Sequence, residues 1–268
     1  MIEVLGRFSR AGILMLWGSV LSYFFFSGRI VSYLHPAFHW MTISAGVILV
    51  VMALLVLLLP AESDSAGCAP TLQSPILLRA IGGVVLVIPL IVTVASSPSQ
   101  FGATAVLNRG IISSASQLPY IVDIPNEPLP GQAFGADGGS VMDYLTRNEE
   151  GQIVTEALDL LYAAEEPSMR QDFEGQEVEM IGQFMPANSN NPNANRFNLV
   201  RMFMLCCAAD AQPLAILVQP KDFQTFPDMT WVKVSGKAVF PVEGGNRIAI
   251  VENANVEETA APAEVFVY

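Results

Sequence analysis

The chain has 268 residues, 52% of them hydrophobic and only 14% charged, with a net charge of −12 at pH 7. A chain this acidic repels phosphate backbones, which argues against a nucleic-acid partner. Three cysteines are too few for a disulfide scaffold. The two histidines, His35 and His39, leave the C-terminal part with no His-rich zinc site and no Ser-His or Cys-His catalysis. Apolar and acidic residues are separated along the chain. Residues 1–100 carry four basic and three acidic side chains, and the remainder carries nine basic and 22 acidic ones.

Three apolar stretches fill the first hundred residues. The first starts at Ala11 and runs to Ser27, or to Leu34 if Arg29 snorkels to an interface. The second covers 39–59 and stops before Pro60; the third covers 75–95, with Arg79 near its start. Each is near the length that crosses about 30 Å of hydrocarbon, so the sequence predicts transmembrane helices at about 11–34, 39–59 and 75–95. Arg7 and Arg10 could form the basic region of a cleaved signal peptide. However, no small-x-small site follows, and another apolar run comes soon after. Basic residues in short loops set orientation. An inside N-terminus places Arg7, Arg10 and Arg79 in the cytoplasm, and three crossings then put the C-terminal domain outside it. The expected location is the plasma (inner) membrane, multi-pass. No ionisable side chain lies deep in a span, which argues against transport by this chain alone. Gly18, Ser22, Gly46, Gly82 and Gly83 suit close helix approach, and Pro89 a bend in the third helix.

Residues 96–140 sustain no period and read as an extended linker, with Pro- and Gly-rich runs such as IPNEPLPGQ. A helix is expected from about Val141 to Ala164, weakened at Gly151 and closed by Pro167, with Leu158, Leu161 and Tyr162 as its apolar stripe. Strand patterns follow at Gln176–Phe184, Asn198–Cys207, Leu214–Gln219, Trp231–Phe240 and Arg247–Val251, the last after an EGGN turn. Gly236 suits a bulge or barrel bend. Met185–Arg196 reads as a polar rim loop. The expected fold is thus membrane α + β: three N-terminal transmembrane helices (domain 1–95), the linker 96–140, and at 141–268 a helix plus a small OB-like five-stranded β-barrel.

The most site-like run is Cys206-Cys207-Ala208-Ala209-Asp210. In a continuing strand the adjacent thiols face opposite sides and share no metal. If the chain turns after Leu205, Cys206 and Cys207 could converge with Asp210 on zinc or another thiophilic metal. A disulfide between the two would be strained, because neighbouring α-carbons lie only about 3.8 Å apart. Two small apolar residues filling a barrel wall is the plain alternative, and Asp210 as a turn cap is another. Cys68 lies in the loop between the second and third spans. Arg201, inside an apolar strand, needs an acid or the rim. Glu174, Glu177 and Glu179 read as a solvated strand face. No Gly-rich phosphate loop, H-E-x-x-H or G-x-S-x-G is present, so no enzyme is expected.

Three N-terminal spans, then Asn108-Arg109-Gly110-Ile111, the run Arg201 through Ala211 with its Cys-Cys-x-x-Asp-Ala core, and Trp231 through Gly236 together resemble the YcgQ-like family of bacterial proteins described as membrane permease subunits. The tail Pro262–Tyr268 departs from that family's Pro-aromatic ending. The resemblance implies a polytopic permease as partner. The expectation is a non-enzymatic subunit of a membrane transport complex whose outer barrel gates the partner or presents a solute or metal ion. The alternative is a membrane-anchored metal or redox sensor using Cys206, Cys207 and Asp210.

Overall fold

The structure, a computed structural model, describes residues 2–59, 76–96, 102–118, 145–188 and 190–268. They fall into two compact units: residues 1–100 with 206–209, and residues 101–205 with 210–268.

The first unit is built on helices α1 (Ile2–Phe26), α2 (His39–Leu58) and α3 (Ile76–Ser96). Helix α1 begins upstream of the expected start, so Arg7 and Arg10 lie within it. It ends at Phe26, before Leu34, because Gly28 adopts a left-handed conformation (φ 72°) and a 3-10 turn, Arg29–Ser32, follows. A second 3-10 turn, Pro36–Phe38, leads into α2. Helices α1 and α2 cross at glycine: a Cβ on Gly18 would lie 2.7 Å from the Gly46 carbonyl oxygen, and one on Gly46 3.2 Å from that of Gly18. Bare backbones therefore meet where any side chain would separate them. The Arg7 guanidinium donates to the carbonyls at the end of α2, including Leu57 at 2.7 Å. These are the acceptors that the end of a helix leaves without partners.

Two stretches, Gly6–Phe26 and Pro36–Leu58, are long and apolar enough to cross a membrane, where three were expected. The third helix is present with Pro89 inside it, but its apolar stretch within the described residues is shorter, Ile81–Ala95. Large apolar side chains on all three helices point outward, among them Val51, Leu55, Val85 and Ile91.

The second unit opens with α4 (Ala103–Arg109) and a 3-10 turn at Ala115–Gln117, where an extended linker was expected. The Pro/Gly-rich stretch that motivated that expectation, residues 119–140, lies outside the described residues. The predicted helix at 141–164 is corrected over 145–164, its first four residues lying outside the described ones. The chain instead makes a turn closed by the Asn148 side chain, which accepts from the amides of Glu150 and Gln152, with Gly151 at φ 81°. Then come the short strand β1 (Ile153–Val154) and helix α5 (Ala157–Glu165). Glu156 and Asp159 form a reciprocal capping box that starts α5 only at Ala157. Pro167 does not merely close that helix; it occupies the first turn of α6 (Pro167–Phe173). Arg170 of α6 in turn donates to the Ala163 and Ala164 carbonyls of α5.

The remainder is a mixed sheet: β2 (Glu177–Pro186), β3 (Phe197–Phe203), β4 (Gln212–Pro220), β5 (Trp231–Val239), the hairpin β6 (Val242–Glu243) with β7 (Asn246–Arg247), β8 (Ile250–Glu258) and β9 (Phe266–Val267). The seven-stranded order is β1-β2-β5-β8-β4-β3-β9, and β2 also pairs with β3. The five long strands therefore pair in a closed circuit, antiparallel except for β4 with β8. Two strands are shifted from expectation. Strand β3 stops at Phe203 instead of Cys207. The fifth long strand is Ile250–Glu258, because Arg247 belongs to the hairpin turning on Gly244 and Gly245, both at positive φ.

Inside the circuit Val178, Met180, Phe184, Phe197, Leu199, Leu214, Ile216, Val232, Val234 and Val251 join α5 residues Leu160 and Leu161 in one core. The outer side of β3 and β4 is covered as well: Val200, Met202, Met204 and Ala215 pack with Val106 of α4 and Phe266 of β9. Gly236 lies where the β5–β8 register shifts, and a Cβ there would meet the Glu252 carbonyl oxygen at 2.8 Å and the Ala254 α-carbon at 2.9 Å. Backbone atoms cannot retreat as side-chain ends can. Gly236→Ala is therefore expected to lower stability by about 1–3 kcal/mol, read as a lower urea midpoint followed by tryptophan fluorescence.

Candidate functional site

Strand β3 gives way to a loop at Met204. The Met204 amide donates to the Val267 carbonyl oxygen of β9 at 2.9 Å, and its side chain is buried. The Leu205 amide then donates to Asp210 Oδ1 at 3.1 Å, so the carboxylate closes a tight loop over the residues between. Within the first unit, Cys207 bridges to Leu34, the His35 amide donates to the Cys206 carbonyl oxygen at 3.0 Å, and the Ala208 amide donates to Tyr33 at 2.8 Å. On the downstream side, the Arg109 guanidinium donates to the Ala211 carbonyl oxygen.

This turn brings together the residues that a strand would have separated. Cys206 and Cys207 Sγ stand 3.6 Å apart and are not joined by a disulfide. The two sulfurs and a carboxylate oxygen of Asp210 all lie within 4.8 Å of one another. Cys206 is exposed; Cys207 and Asp210 are half-buried. Two sulfurs each ~2.3 Å from a shared cation and 3.6 Å from each other subtend about 103° at the metal, close to a tetrahedral angle. Two thiolates and a carboxylate are also the donor set that zinc-like cations accept. Asp210 thus serves both as turn cap and as a candidate ligand. Cys68 lies outside the described residues. His35 and His39 serve the start of the second helix: His35 Nδ1 accepts from the Ala37 amide at 3.1 Å, and His39 Nε2 lies 2.9 Å from the Leu34 carbonyl oxygen.

The acid expected for Arg201 is Glu156, at the N-cap of α5. Arg201 is 2% exposed; its Nε lies 3.3 Å from Glu156 Oε2, and its Nη2 donates to Glu156 Oε1 and to the Glu264 carbonyl oxygen at 3.0 Å. The guanidinium carbon stands 5.5 Å from the centre of the Trp231 ring. Burial pushes the Glu156 carboxyl up from its ordinary range, with Arg201 opposing in part. Burial likewise pulls Arg201 down, with Glu156 opposing, and raises the Tyr268 phenol. Glu156 Oε2, Arg201 Nε and Nη1, and Trp231 Nε1 are buried without a hydrogen-bond partner. Beyond Arg201 itself, no sequence pattern signals this cluster, because its members come from four separated segments. Of the acidic residues read as a solvated face, Glu174 and Glu177 are exposed, while Glu179 pairs with Lys233 at 3.6 Å and accepts from Asn148.

The chain joins apolar helices, two of them long and apolar enough to cross a membrane, to a small mixed-sheet domain carrying a Cys-Cys-Asp loop. Residues 9–112 match the DUF1980 N-terminal domain and residues 153–268 the DUF1980 C-terminal domain, so the chain contains both domains of the DUF1980 family. No curated protein matches it.

The ion pair makes the two partners unequal to mutation. Glu156→Gln removes the carboxylate nearest a buried guanidinium; because the Glu156 side chain is itself half-exposed, the expected cost is about 1–3 kcal/mol. Arg201→Met removes the buried charge and keeps an apolar stem, so it costs less. Urea unfolding of both variants checks the order; equal losses would contradict it.

Proposed function

We propose that this chain is a non-enzymatic, membrane-anchored subunit of a transport assembly that presents a zinc-class cation, held by Cys206, Cys207 and Asp210, to a polytopic permease. The convergence of those three side chains carries the reading. The 3.6 Å sulfur separation favours a tetrahedral cation over a linear two-sulfur site, which would hold its sulfurs more than about 4 Å apart. The exposed thiol of Cys206 favours a cation exchanged with a partner over one sealed in for structure. The acidity of the C-terminal part favours cation approach.

Three crossings with the N-terminus inside, resting on Arg7, Arg10 and Arg79, put the loop and its domain outside the cytoplasm. The absence of ionisable side chains deep in the apolar stretches supports a helper role beside a permease, as does the likeness to YcgQ-like permease subunits. An OB-type barrel is supported by the strand pairing, with the five long strands in order 1-2-3-5-4 and the third and fifth parallel. The outer side of its second and third strands is occupied by α4 and β9, which favours a presenting scaffold over an oligonucleotide or oligosaccharide binder. The alternative, an anchored metal or redox sensor, rests on the same three side chains and differs in needing no permease.

The detergent-solubilised full chain is expected to bind one zinc ion and to co-purify with a polytopic membrane protein. Cys206→Ser and Cys207→Ser should each weaken zinc binding by at least about a hundredfold, measured by competition with a chromogenic chelator. Zinc binding unchanged in both variants would remove the cation; a chain that binds zinc and purifies alone from native membranes would leave the sensor.

A further inference from the structure

We infer that this loop is a redox gate on its own cation: oxidation of Cys206 and Cys207 to a vicinal disulfide ejects the metal, and the bound metal shields the thiols. The inference rests on the cation reading above. Adjacency supplies the mechanism. The sulfurs already stand 3.6 Å apart, so they need approach by only about 1.5 Å to reach bonding distance. The flanks are pinned, with Met204 and Ala211 buried and the Leu205 amide on Asp210. The rearrangement is thereby confined to the two cysteines and the peptide between them. Cys206 is exposed to a soluble oxidant.

The step balances with a disulfide as oxidant. The Cys206 thiolate attacks one sulfur of that disulfide, forming a mixed disulfide and expelling one thiolate. The Cys207 thiolate then attacks Cys206 Sγ, forming the Cys206–Cys207 bond and expelling the second thiolate. Two electrons pass from the cysteine pair to the oxidant, whose own sulfur–sulfur bond is cleaved to two thiolates that take protons from water. The cation loses both sulfur ligands and keeps only Asp210, too little to hold it. Neighbouring α-carbons lie about 3.8 Å apart, below the roughly 4.4 Å minimum of relaxed disulfides. The oxidised form is therefore strained and returns readily to dithiol when reductant is supplied. Oxidation and cation binding exclude each other because both need the same lone pairs.

The test uses the full chain in detergent with Cys68→Ser, leaving only the loop thiols, loaded with zinc and challenged with oxidised glutathione. Zinc release is followed with a chromogenic chelator, and the peptide spanning 204–211 is read by mass spectrometry. One zinc should be released per disulfide formed, with the peptide losing two hydrogens and excess dithiothreitol restoring binding. With zinc at ten times its dissociation constant, the metal-free fraction and hence the oxidation rate should fall about tenfold. Cys207→Ser should stop at the mixed disulfide on Cys206. If the reduced protein binds zinc but keeps it through oxidation, or stops at mixed disulfides with both cysteines present, the gate is overturned and the cation reading stands. If the reduced protein binds no zinc, both fall together.

Discussion

A hydrogen bond from the Leu205 amide to the Asp210 carboxylate decides the character of this molecule's site. In a strand, successive side chains alternate in direction, and Cys206 and Cys207 would point apart. With β3 ended at Phe203 and the carboxylate closing the loop, two consecutive thiols and the closing acid converge. The same atom type that caps the turn can bind a cation. The loop ends are fixed by the Met204 amide on β9 and the Arg109 guanidinium on Ala211, so the convergence belongs to the scaffold, not to the cysteines alone.

The scaffold itself depends on closing a short sheet. Five strands returning on themselves must bend sharply, and Gly182 and Gly236 stand where a Cβ would strike a neighbour closer than 3.0 Å. Closure leaves an interior filled by aliphatic and aromatic side chains, Phe184 and Phe197 among them, and it also tolerates one buried guanidinium, Arg201, paired with the half-exposed Glu156 and stacked near Trp231. Burial of the guanidinium and partial burial of the carboxyl work against their mutual attraction, which pushes the carboxyl pKa up and the guanidinium pKa down. Its role is best understood as fixing α5 and the C-terminal tail to β3, since the Arg201 side chain reaches the Glu264 carbonyl as well.

Much of this was legible in the sequence, and for physical reasons. Strand existence followed from alternation and β-branched runs, Gly236 announced its bulge, and the Gly244-Gly245 hairpin was plain from its turn residues. The second apolar helix matched residue for residue within one position, because its hydrophobic run is unbroken. What failed was governed by local hydrogen bonds that composition does not encode. The Asn148 side chain and the Glu156–Asp159 capping box start α5 only at Ala157, well after the expected Val141, despite a helical stripe. Pro167 starts a helix because a missing amide costs nothing at its first turn. Strand β3 reads as continuous through Cys207 because its residues are largely apolar apart from Asn198 and Arg201; the partners of Met204 and Leu205, Val267 and Asp210, end it. The Cys206, Cys207 and Asp210 set was visible as a pattern, but the choice between diverging and converging sulfurs needed three dimensions. Glu156 as the partner of Arg201 had no sequence signal at all.

The site's chemistry turns on whether the two sulfurs share one cation. Zinc-edge X-ray absorption on the reduced, zinc-loaded full chain measures that directly. A shared cation should give two sulfur scatterers at about 2.3 Å together with light oxygen or nitrogen scatterers at about 2.0–2.2 Å. A spectrum fitted by oxygen and nitrogen alone would contradict it.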